Sequence, residues 1–378
     1  MKLLLIVSSM HAGGAERVAS TLVNAWAARG DEVTLLITYS GRGECVYPLD
    51  ERVRVVWLAD HLARNHSILA PLSRLITLRR IIKKSGANLA ISFLTNVNVA
   101  SIVATRGLNL PLIVCERTNP SIVNNVGWLL TKLRQLTYRF ATRVNVQAVP
   151  TVFGLRSMVP AMRCVDVIPN PLPAELINHS TFADVVASEL KIKQVVAMGR
   201  LSADKQFDVL IEVFSRVAQA YPDWQLTIWG DGPERLALEA QVLQLGLQAR
   251  VKLPGRTKQA WQSLASGQIF GMTSRVEGFP NVLLEAMALG LPCITYDCPS
   301  GPAELTESGI SGYLIGMNDK EGFVQALKQL MDDAQSRSEL GQRGAESVKR
   351  RYAIAKVIDD WDAVFDRIQR DDSSEYRS

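Results

Sequence analysis

Val167-Ile168-Pro169-Asn170-Pro171-Leu172-Pro173 is the stretch on which the reading of this chain turns. Each proline lacks an N–H and fixes φ, so the run cannot lie inside a helix or a central strand, and a linker begins here. Upstream, Leu3–Ser8 reads as a strand, a glycine turn follows, and a helix runs from about Ala15 to Arg29 before Gly30 closes it. Glu32–Tyr39 reads as the next strand, and Val53–Leu58, Leu89–Phe93, Leu112–Cys115 and Val144–Gln147 are further short apolar runs between helical segments. Downstream the alternation restarts with strands at Val195–Met198, Gln225–Trp229, Val251–Leu253, Ile269–Met272 and Cys293–Tyr296. Helices are expected between them at Phe207–Ala220, Glu234–Leu245 and Asn281–Leu289.

Strand–helix alternation of this kind implies parallel sheets covered by helices on both faces. The expectation is an α/β chain of two Rossmann-like domains facing a central cleft, a frequent place for a ligand. Residues 1–170 form the first domain, 171–190 a linker and 191–353 the second. A last helix within 354–378 carries Trp361, Val364, Phe365 and Ile368 on one stripe, so it is expected to pack back on the body, with a polar tail from Asp371.

Composition narrows the class. A chain of 378 residues, 47% hydrophobic and 21% charged, suits two folded domains and not a repeat array or a disordered segment. It contains no run of about 18 uninterrupted apolar residues, so no membrane span is expected. Met1-Lys2 before Leu3-Leu4-Leu5-Ile6-Val7 can mimic a signal peptide. The run is short for that and lacks a cleavage pattern, so a buried strand is the reading. Five scattered cysteines (Cys45, Cys115, Cys164, Cys293, Cys298) and four histidines fit neither a disulfide framework nor a zinc site. The cell interior is the expected compartment.

Charge is uneven. Residues 1–180 hold 20 Lys+Arg and 10 Asp+Glu, a balance of +10, and the remainder balances at −5. Within 52–143, 14 basic residues stand against only Asp60 and Glu116. The first half is expected to face a polyanion: anionic lipid, a lipid-linked pyrophosphate or nucleic acid. The plain alternative is a solvated surface.

Several short motifs carry chemistry. Gly13-Gly14-Ala15-Glu16-Arg17 lies between the first strand and helix, where glycine admits close backbone approach and the helix N-terminus favours an anion. It lacks the G-x-G-x-x-G spacing of dinucleotide binders, and a tight turn without ligand is the other reading. In Gly199-Arg200-Leu201-Ser202-Ala203-Asp204-Lys205, Arg200 offers a planar fork and Lys205 a point charge, together suited to a diphosphate. Gly230-Asp231-Gly232-Pro233 is a tight turn at the same edge, either functional or purely conformational.

The stretch Ser274-Arg275-Val276-Glu277-Gly278-Phe279-Pro280-Asn281-Val282-Leu283-Leu284-Glu285-Ala286 is the most specific. Pro280 suits the first turn of a helix, leaving the amides of Gly278 to Val282 as anion donors. Glu277 is placed to accept from sugar hydroxyls and Glu285 from a ribose diol. The bland alternative makes Glu277 solvated and Glu285 a complement to the helix dipole.

This E-G-F-P-N-x-x-L-E-A setting, with its two glutamates seven residues apart, resembles the hallmark of retaining glycosyltransferases of family 4, which have the GT-B fold. The likeness runs over nearly the whole chain, through G-G-A-E-R, G-R-L-x-x-x-K, G-D-G-P and Asp297-Cys298-Pro299-Ser300-Gly301-Pro302-Ala303-Glu304, to Gly309 and Gly312-Tyr313-Leu314. It implies that Arg200 and Lys205, beside Gly199, bind the donor pyrophosphate with help from amides near Gly13 and Gly14. It implies that Glu285 and Asn281 lie in the donor site, Glu285 holding the ribose. Glu277, Gly278, Phe279 and Pro280 would contact the transferred sugar, and backbone around Pro254-Gly255-Arg256 would meet the base. Glu277, Arg200 and Lys205 would be the catalytic set, with no metal and no cofactor beyond the nucleotide-sugar co-substrate.

One departure stands out. Many relatives have a histidine near Cys115-Glu116-Arg117-Thr118-Asn119-Pro120, and this chain has none between His66 and His179. Glu116 either takes that place as an acid/base or pairs with Arg117 or another cation. On the acceptor and membrane side the candidates are Asn96, with Asn98, then Arg117, Lys132, Arg139 and Arg143. Leu129, Leu133, Leu136 and Phe140 share a helical face, with Trp128 at its start, and 68–84 is a more mixed second stripe; each is either a lipid contact or a core face.

The reading is a hexose or N-acetylhexosamine transferase using a UDP-linked donor and forming an α-linkage on a polyprenyl-pyrophosphate-linked glycan. Similar bacterial enzymes assemble O-antigen, exopolysaccharide or protein glycans, and the chain is expected at an anionic membrane surface on the cytoplasmic face. A lipopolysaccharide-core or glycolipid glucosyl- or mannosyltransferase is the same-fold alternative. Nucleic-acid binding is the rival class; no helix-turn-helix, RRM or stacking platform supports it.

Overall fold

The computed structural model describes residues 1–39, 43, 45–62, 70–119, 127–162, 164–178 and 193–375, the last four by backbone alone. The chain divides into Met1–Pro171 with Ile354–Ser378, and Leu172–Ala353.

The first unit is built on seven parallel strands: β1 (Lys2–Val7), β2 (Glu32–Ile37), β3 (Arg54–Trp57), β4 (Leu89–Phe93), β5 (Leu112–Cys115), β6 (Arg143–Val146) and β7 (Val165–Val167). Their order is β3-β2-β1-β4-β5-β6-β7. β1 is apolar at every position from Leu3 to Val7 because both faces of a central parallel strand are covered. Leu3, Leu5 and Val7 enter one core with Trp26, while Leu4 and Ile6 enter the other with Ile102 and Leu112.

The second unit repeats the plan with β8 (Lys193–Met198), β9 (Trp224–Trp229), β10 (Val251–Gly255), β11 (Ile269–Met272), β12 (Cys293–Tyr296) and β13 (Tyr313–Ile315). Its order is β10-β9-β8-β11-β12-β13, again with parallel pairing. Val195 and Ala197 pack with Phe214 and Phe323 on one face, and Val196 with Leu283 and Met287 on the other.

Two expected boundaries change. The linker 171–190 is shorter at its start, because Leu172 and Leu176 are fully buried in the second unit's core. The Leu172 N–H donates to the Tyr352 carbonyl at 2.7 Å. The part of that linker from 179 onward lies outside the described residues. The last helix, Ile354–Glu375, packs on the first unit in particular, against the helix Gly14–Ala28. There Trp361 meets Trp26 edge-on at 5.9 Å between ring centroids, with Phe365 6.1 Å from Trp26. The first unit is therefore discontinuous in sequence. Among the described residues no helix is long and apolar enough to cross a membrane.

Strand order locates the chemistry. In each sheet the winding reverses once, between β1 and β4 and between β8 and β11. Loops leaving the carboxyl ends of those strands diverge to opposite faces, which opens a ligand crevice there. The glycine motif after β1, the Gly199–Lys205 loop after β8 and the Glu277 loop after β11 all sit at those points.

Candidate functional site

In the second unit the two switch-point loops are tied together. The Arg275 N–H donates to the Asp204 carbonyl at 2.8 Å, and Thr273 Oγ1 donates to the Gln206 carbonyl at 2.8 Å. Gln206 adopts a left-handed φ of 48°, which turns the loop into the helix Phe207–Ala218. Across this seam Lys205 Nζ meets Glu277 Oε1 at 2.6 Å. The pair keeps modest solvent contact, its side chains 22% and 10% exposed. Arg200, by contrast, is exposed and has no ion pair among the described residues. One cation of the expected diphosphate pair is thus held by a carboxylate and the other is uncommitted.

The turn Gly230–Gly232 has a steric role. Gly230 has φ of +143°, and a Cβ there would collide with the Gly199 carbonyl; one on Gly232 would strike the Leu201 carbonyl. The Leu201 N–H donates to the Asp231 carbonyl at 3.1 Å, so this turn buttresses the Gly199–Lys205 loop. Sequence reading missed the clamp beneath it. The Arg235 guanidinium reaches Asp231 Oδ1 at 3.0 Å, the Leu253 carbonyl at 3.1 Å and the Gly230 carbonyl at 3.3 Å. Arg256 follows β10 and is exposed beside that turn, where its charge acts on Asp231.

Beyond Glu277, Gly278 is half-buried and Pro280 is the N-cap of the helix Asn281–Ala288, one position earlier than its expected place in the first turn. As N-cap, Pro280 brings no side-chain hydrogen bond to this helix. Asn281 is half-buried, and Glu285, one turn further, is 2% exposed. The Phe279 ring is buried in the core, edge-on to Tyr352 at 5.6 Å, so it is the backbone of this residue that the loop presents. A second missed residue is Cys298, buried close enough to feel the charges of Glu277 and Lys205, with its thiol pushed by burial to about 12. Its signal was present in the Asp297-Cys298-Pro299 run.

In the first unit, Gly13 precedes the helix Gly14–Ala28 in extended backbone that any residue can adopt. The position is tight for another reason: a Cβ there would meet the Glu16 carboxylate, which accepts from Ser9 Oγ at 3.0 Å. The chain's own carboxylate therefore sits over the amide end at Gly13, and Gly14 begins the helix beneath it.

After β4, Leu94 takes a strained φ of 77° and Asn96 is exposed at the start of the helix Thr95–Thr105. Asn98, paired with Asn96 in expectation, faces inward. Its Nδ2 donates to the Cys115 carbonyl and to the Tyr138 hydroxyl, both at 2.9 Å, and its Oδ1 accepts from Ser92 at 2.7 Å. It is a satisfied core amide, not a cleft residue.

Glu116 is also buried, 1% exposed. Thr95 Oγ1 donates to both carboxylate oxygens at 3.1 and 3.0 Å, the Tyr138 hydroxyl donates to Oε1, and Arg134 Nη1 lies 3.7 Å away. Burial raises its pKa and prevails over the hydrogen bond from Tyr138 and the charge of Arg134. Of the two readings of Glu116, the geometry carries the structural one, with Arg134 as the cation and not Arg117. Arg117 is itself buried: Nη1 donates to Asn170 Oδ1 at 2.7 Å and the guanidinium lies 3.6 Å from the Phe93 ring centre. Its Nη2 has no hydrogen-bond partner among the described residues, and burial lowers its pKa to about 10.

Lys132 and Arg139 are exposed as expected. Arg143 is not on a membrane-facing surface. It lies in β6, 8% exposed, paired with Asp166 at 3.3 Å and Asp371 at 3.2 Å. Its charge is used to join the sheet edge to the last helix. Among the described residues no group of three or more His, Cys, Asp or Glu side chains could hold a metal ion. Open hollows in the first unit, such as the one lined by Met1, Asn88, Asn109 and Phe365, lie at the amino ends of the strands. They are away from the motif-bearing loops, and the chemistry follows the loops.

A family model described as glycosyl transferase 4-like domain matches residues 13–171, and one described as glycosyl transferases group 1 matches residues 181–347. The chain is 26% identical over 367 residues to a GalNAc-alpha-(1->4)-GalNAc-alpha-(1->3)-diNAcBac-PP-undecaprenol alpha-1,4-N-acetyl-D-galactosaminyltransferase of Campylobacter jejuni, covering 96% of this chain and 97% of that one. It is 27% identical over 368 residues to the amylovoran biosynthesis glycosyltransferase AmsD of Erwinia amylovora, covering 96% and 99%. Among solved structures, Anabaena Alr3699/HepE in complex with UDP superposes with a TM-score of 0.80 at 20% identity, over 97% of this chain and all of that one. Two matching domain models across most of the chain, with the same two-sheet architecture, give one result: the chain belongs to the GT-B glycosyltransferases of the family-4 type.

Proposed function

We propose that this glycosyltransferase moves a hexose or N-acetylhexosamine from a UDP-linked donor onto a polyprenyl-pyrophosphate-linked glycan, with retention of configuration and in α-linkage. The observation that carries the reading is the Lys205–Glu277 pair at the second unit's switch point, with the exposed guanidinium of Arg200 on the same loop. In this reading the anomeric C–O bond breaks and the diphosphate leaves with the electron pair. Arg200 and Lys205 neutralise it, with the positive end of the helix Asn281–Ala288 behind them, and supply the charge a metal would otherwise bring. The acceptor hydroxyl attacks from the same face and its proton passes to the departing phosphate oxygen. Glu277, held to Lys205, orients that ammonium and is placed to accept from the sugar hydroxyls. Glu285 holds the ribose and Arg256 lies where backbone meets the base.

UDP as the carrier is supported by the solved relative that binds it, and a lipid-diphosphate acceptor by the Campylobacter enzyme's name. The basic first half suits such an acceptor and an anionic membrane, which supports a site of action at the inner face of the cytoplasmic membrane. The test is a metal-free thermal-shift panel of UDP-, GDP- and ADP-sugars, since a ligand that binds only the folded state raises its melting temperature. One UDP-sugar should raise it, and Glu285→Ala should remove the shift. A shift with GDP- or ADP-sugars instead would sink the donor assignment.

A further inference from the structure

The helix Trp128–Thr137 and the following turn Tyr138–Phe140 turn most of their large apolar side chains outward, although Leu130 packs against the core. A helix covering a core turns its leucines inward and its charges outward. Here Arg134 and Tyr138 are buried, at 2% and 0% exposure, while Trp128 is 77%, Leu129 58%, Leu136 58% and Phe140 44% exposed. Leu133 shares that outer face.

The buried side explains why the helix does not roll over. Arg134 lies beside Glu116 and donates to Met158 Sδ, and Tyr138 binds Glu116 and Asn98. Rolling the leucines inward would draw the guanidinium away and strand a buried carboxylate, which costs more than the apolar contacts would return. A buried polar cluster of this kind fixes register.

The outer face is ringed by cations. Lys132 and Arg139 are exposed on the segment, and the guanidinium groups of Arg106 and Arg139 lie 4.3 and 4.8 Å from the Phe140 ring centre. Of the two acidic residues within 52–143, Glu116 is the one beneath this helix, and it is buried. Apolar side chains rimmed by lysine and arginine, with a tryptophan at one end, match the boundary between headgroups and acyl chains of an anionic bilayer.

We propose that Trp128–Phe140 docks this enzyme on a bilayer bearing anionic headgroups, held apolar face outward by the Glu116–Arg134–Tyr138 cluster. The inference rests on the membrane-acceptor reading but names its element and makes Glu116 a positioning residue for that element.

The experiment is co-sedimentation of the full chain with phosphatidylcholine vesicles, with and without phosphatidylglycerol. Wild type should pellet with the anionic vesicles and be released by salt. Leu133→Ser/Leu136→Ser should weaken this about tenfold or more, from lost apolar burial. Glu116→Gln should weaken it too; where that variant unfolds, Glu116→Gln/Arg134→Met removes both charges together. Wild-type vesicle binding by the leucine double variant would overturn the docking face. The same result for a folded Glu116→Gln/Arg134→Met variant would overturn the pin. A wild type that ignores vesicles but dimerises through these leucines would replace the bilayer with a second copy. The UDP-sugar shift, measured on the same samples, reports the donor reading separately.

Discussion

At the scale of single residues, the Lys205–Glu277 contact has the largest consequence. A lysine kept for a diphosphate must stay near its target, and a carboxylate at 2.6 Å holds it there before any donor arrives. Replacing Lys205 by Ala removes a charge from the leaving group and leaves Glu277 unpaired. We expect kcat/KM to fall about 10²–10³-fold, as when one preorganised electrostatic partner is lost. Glu277→Gln keeps the shape and a weaker hydrogen bond, so its loss should be smaller at saturating donor and larger in KM. Steady-state kinetics with the donor found by thermal shift measures both. Equal kcat/KM for Lys205→Ala and wild type would remove Lys205 from the mechanism. Residue identities at this seam were readable because motif spacing places them after strands. The fate of the Phe279 ring was not, since nothing near it in sequence reveals that Tyr352, 73 positions later, takes it into the core.

At the scale of elements, sequence periodicity reports which residues share a face and says nothing of what that face meets. The stripe Trp361, Val364, Phe365 and Ile368 was legible as one face, and it is buried against Trp26. The stripe Leu129, Leu133, Leu136 and Phe140 was equally legible, and it is exposed. What separates the two is a contact between Arg134 and Glu116, residues on different elements whose pairing depends on the sheet. Strands were plain where both faces are buried, as in β1 and β4, and faint at the edges: β7 and β13 are three residues each and were not separately expected. The docked helix makes a direct prediction. Trp361→Ala should destabilise the first unit by about 3–5 kcal/mol, the usual cost of emptying a buried aromatic site. Urea unfolding checks it, and the UDP-sugar shift of the second unit should survive. A loss under about 1 kcal/mol would mean that the helix is not structural.

At the scale of the whole molecule, the two units differ in how they hold their carboxylates, and that difference predicts their behaviour in acid. In the second unit Lys320 and Arg216 lower Glu212, Lys193 lowers Asp223, Arg235 lowers Asp231, hydroxyls of Ser311 and Ser347 lower Glu307, and Ser336 lowers Asp333. A carboxyl whose folded pKa lies below its unfolded value contributes stability that is present above the unfolded value, near pH 4, and lost as pH falls through the folded one. In the first unit Asp50, hydrogen-bonded by Arg52, is drawn down to about 2 and Asp31 is lowered by the N-terminal ammonium and Arg29 against its burial. Glu116 works the other way. Burial raises its folded pKa, so protonation near and below that value relieves a cost and offsets part of the loss. Most of these pairs are exposed and each contributes little, so the sign of the sum decides, not any one member. Below pH 4 the second unit should therefore lose melting temperature faster than the first. Differential scanning calorimetry across pH 5 to 2.5 tests this, with the second unit's transition identified at pH 5 as the one a UDP-sugar raises. Transitions that fall together, or a first unit that falls sooner, would show that the Glu116 cluster does not offset acid loss and that its burial is set by something other than its proton.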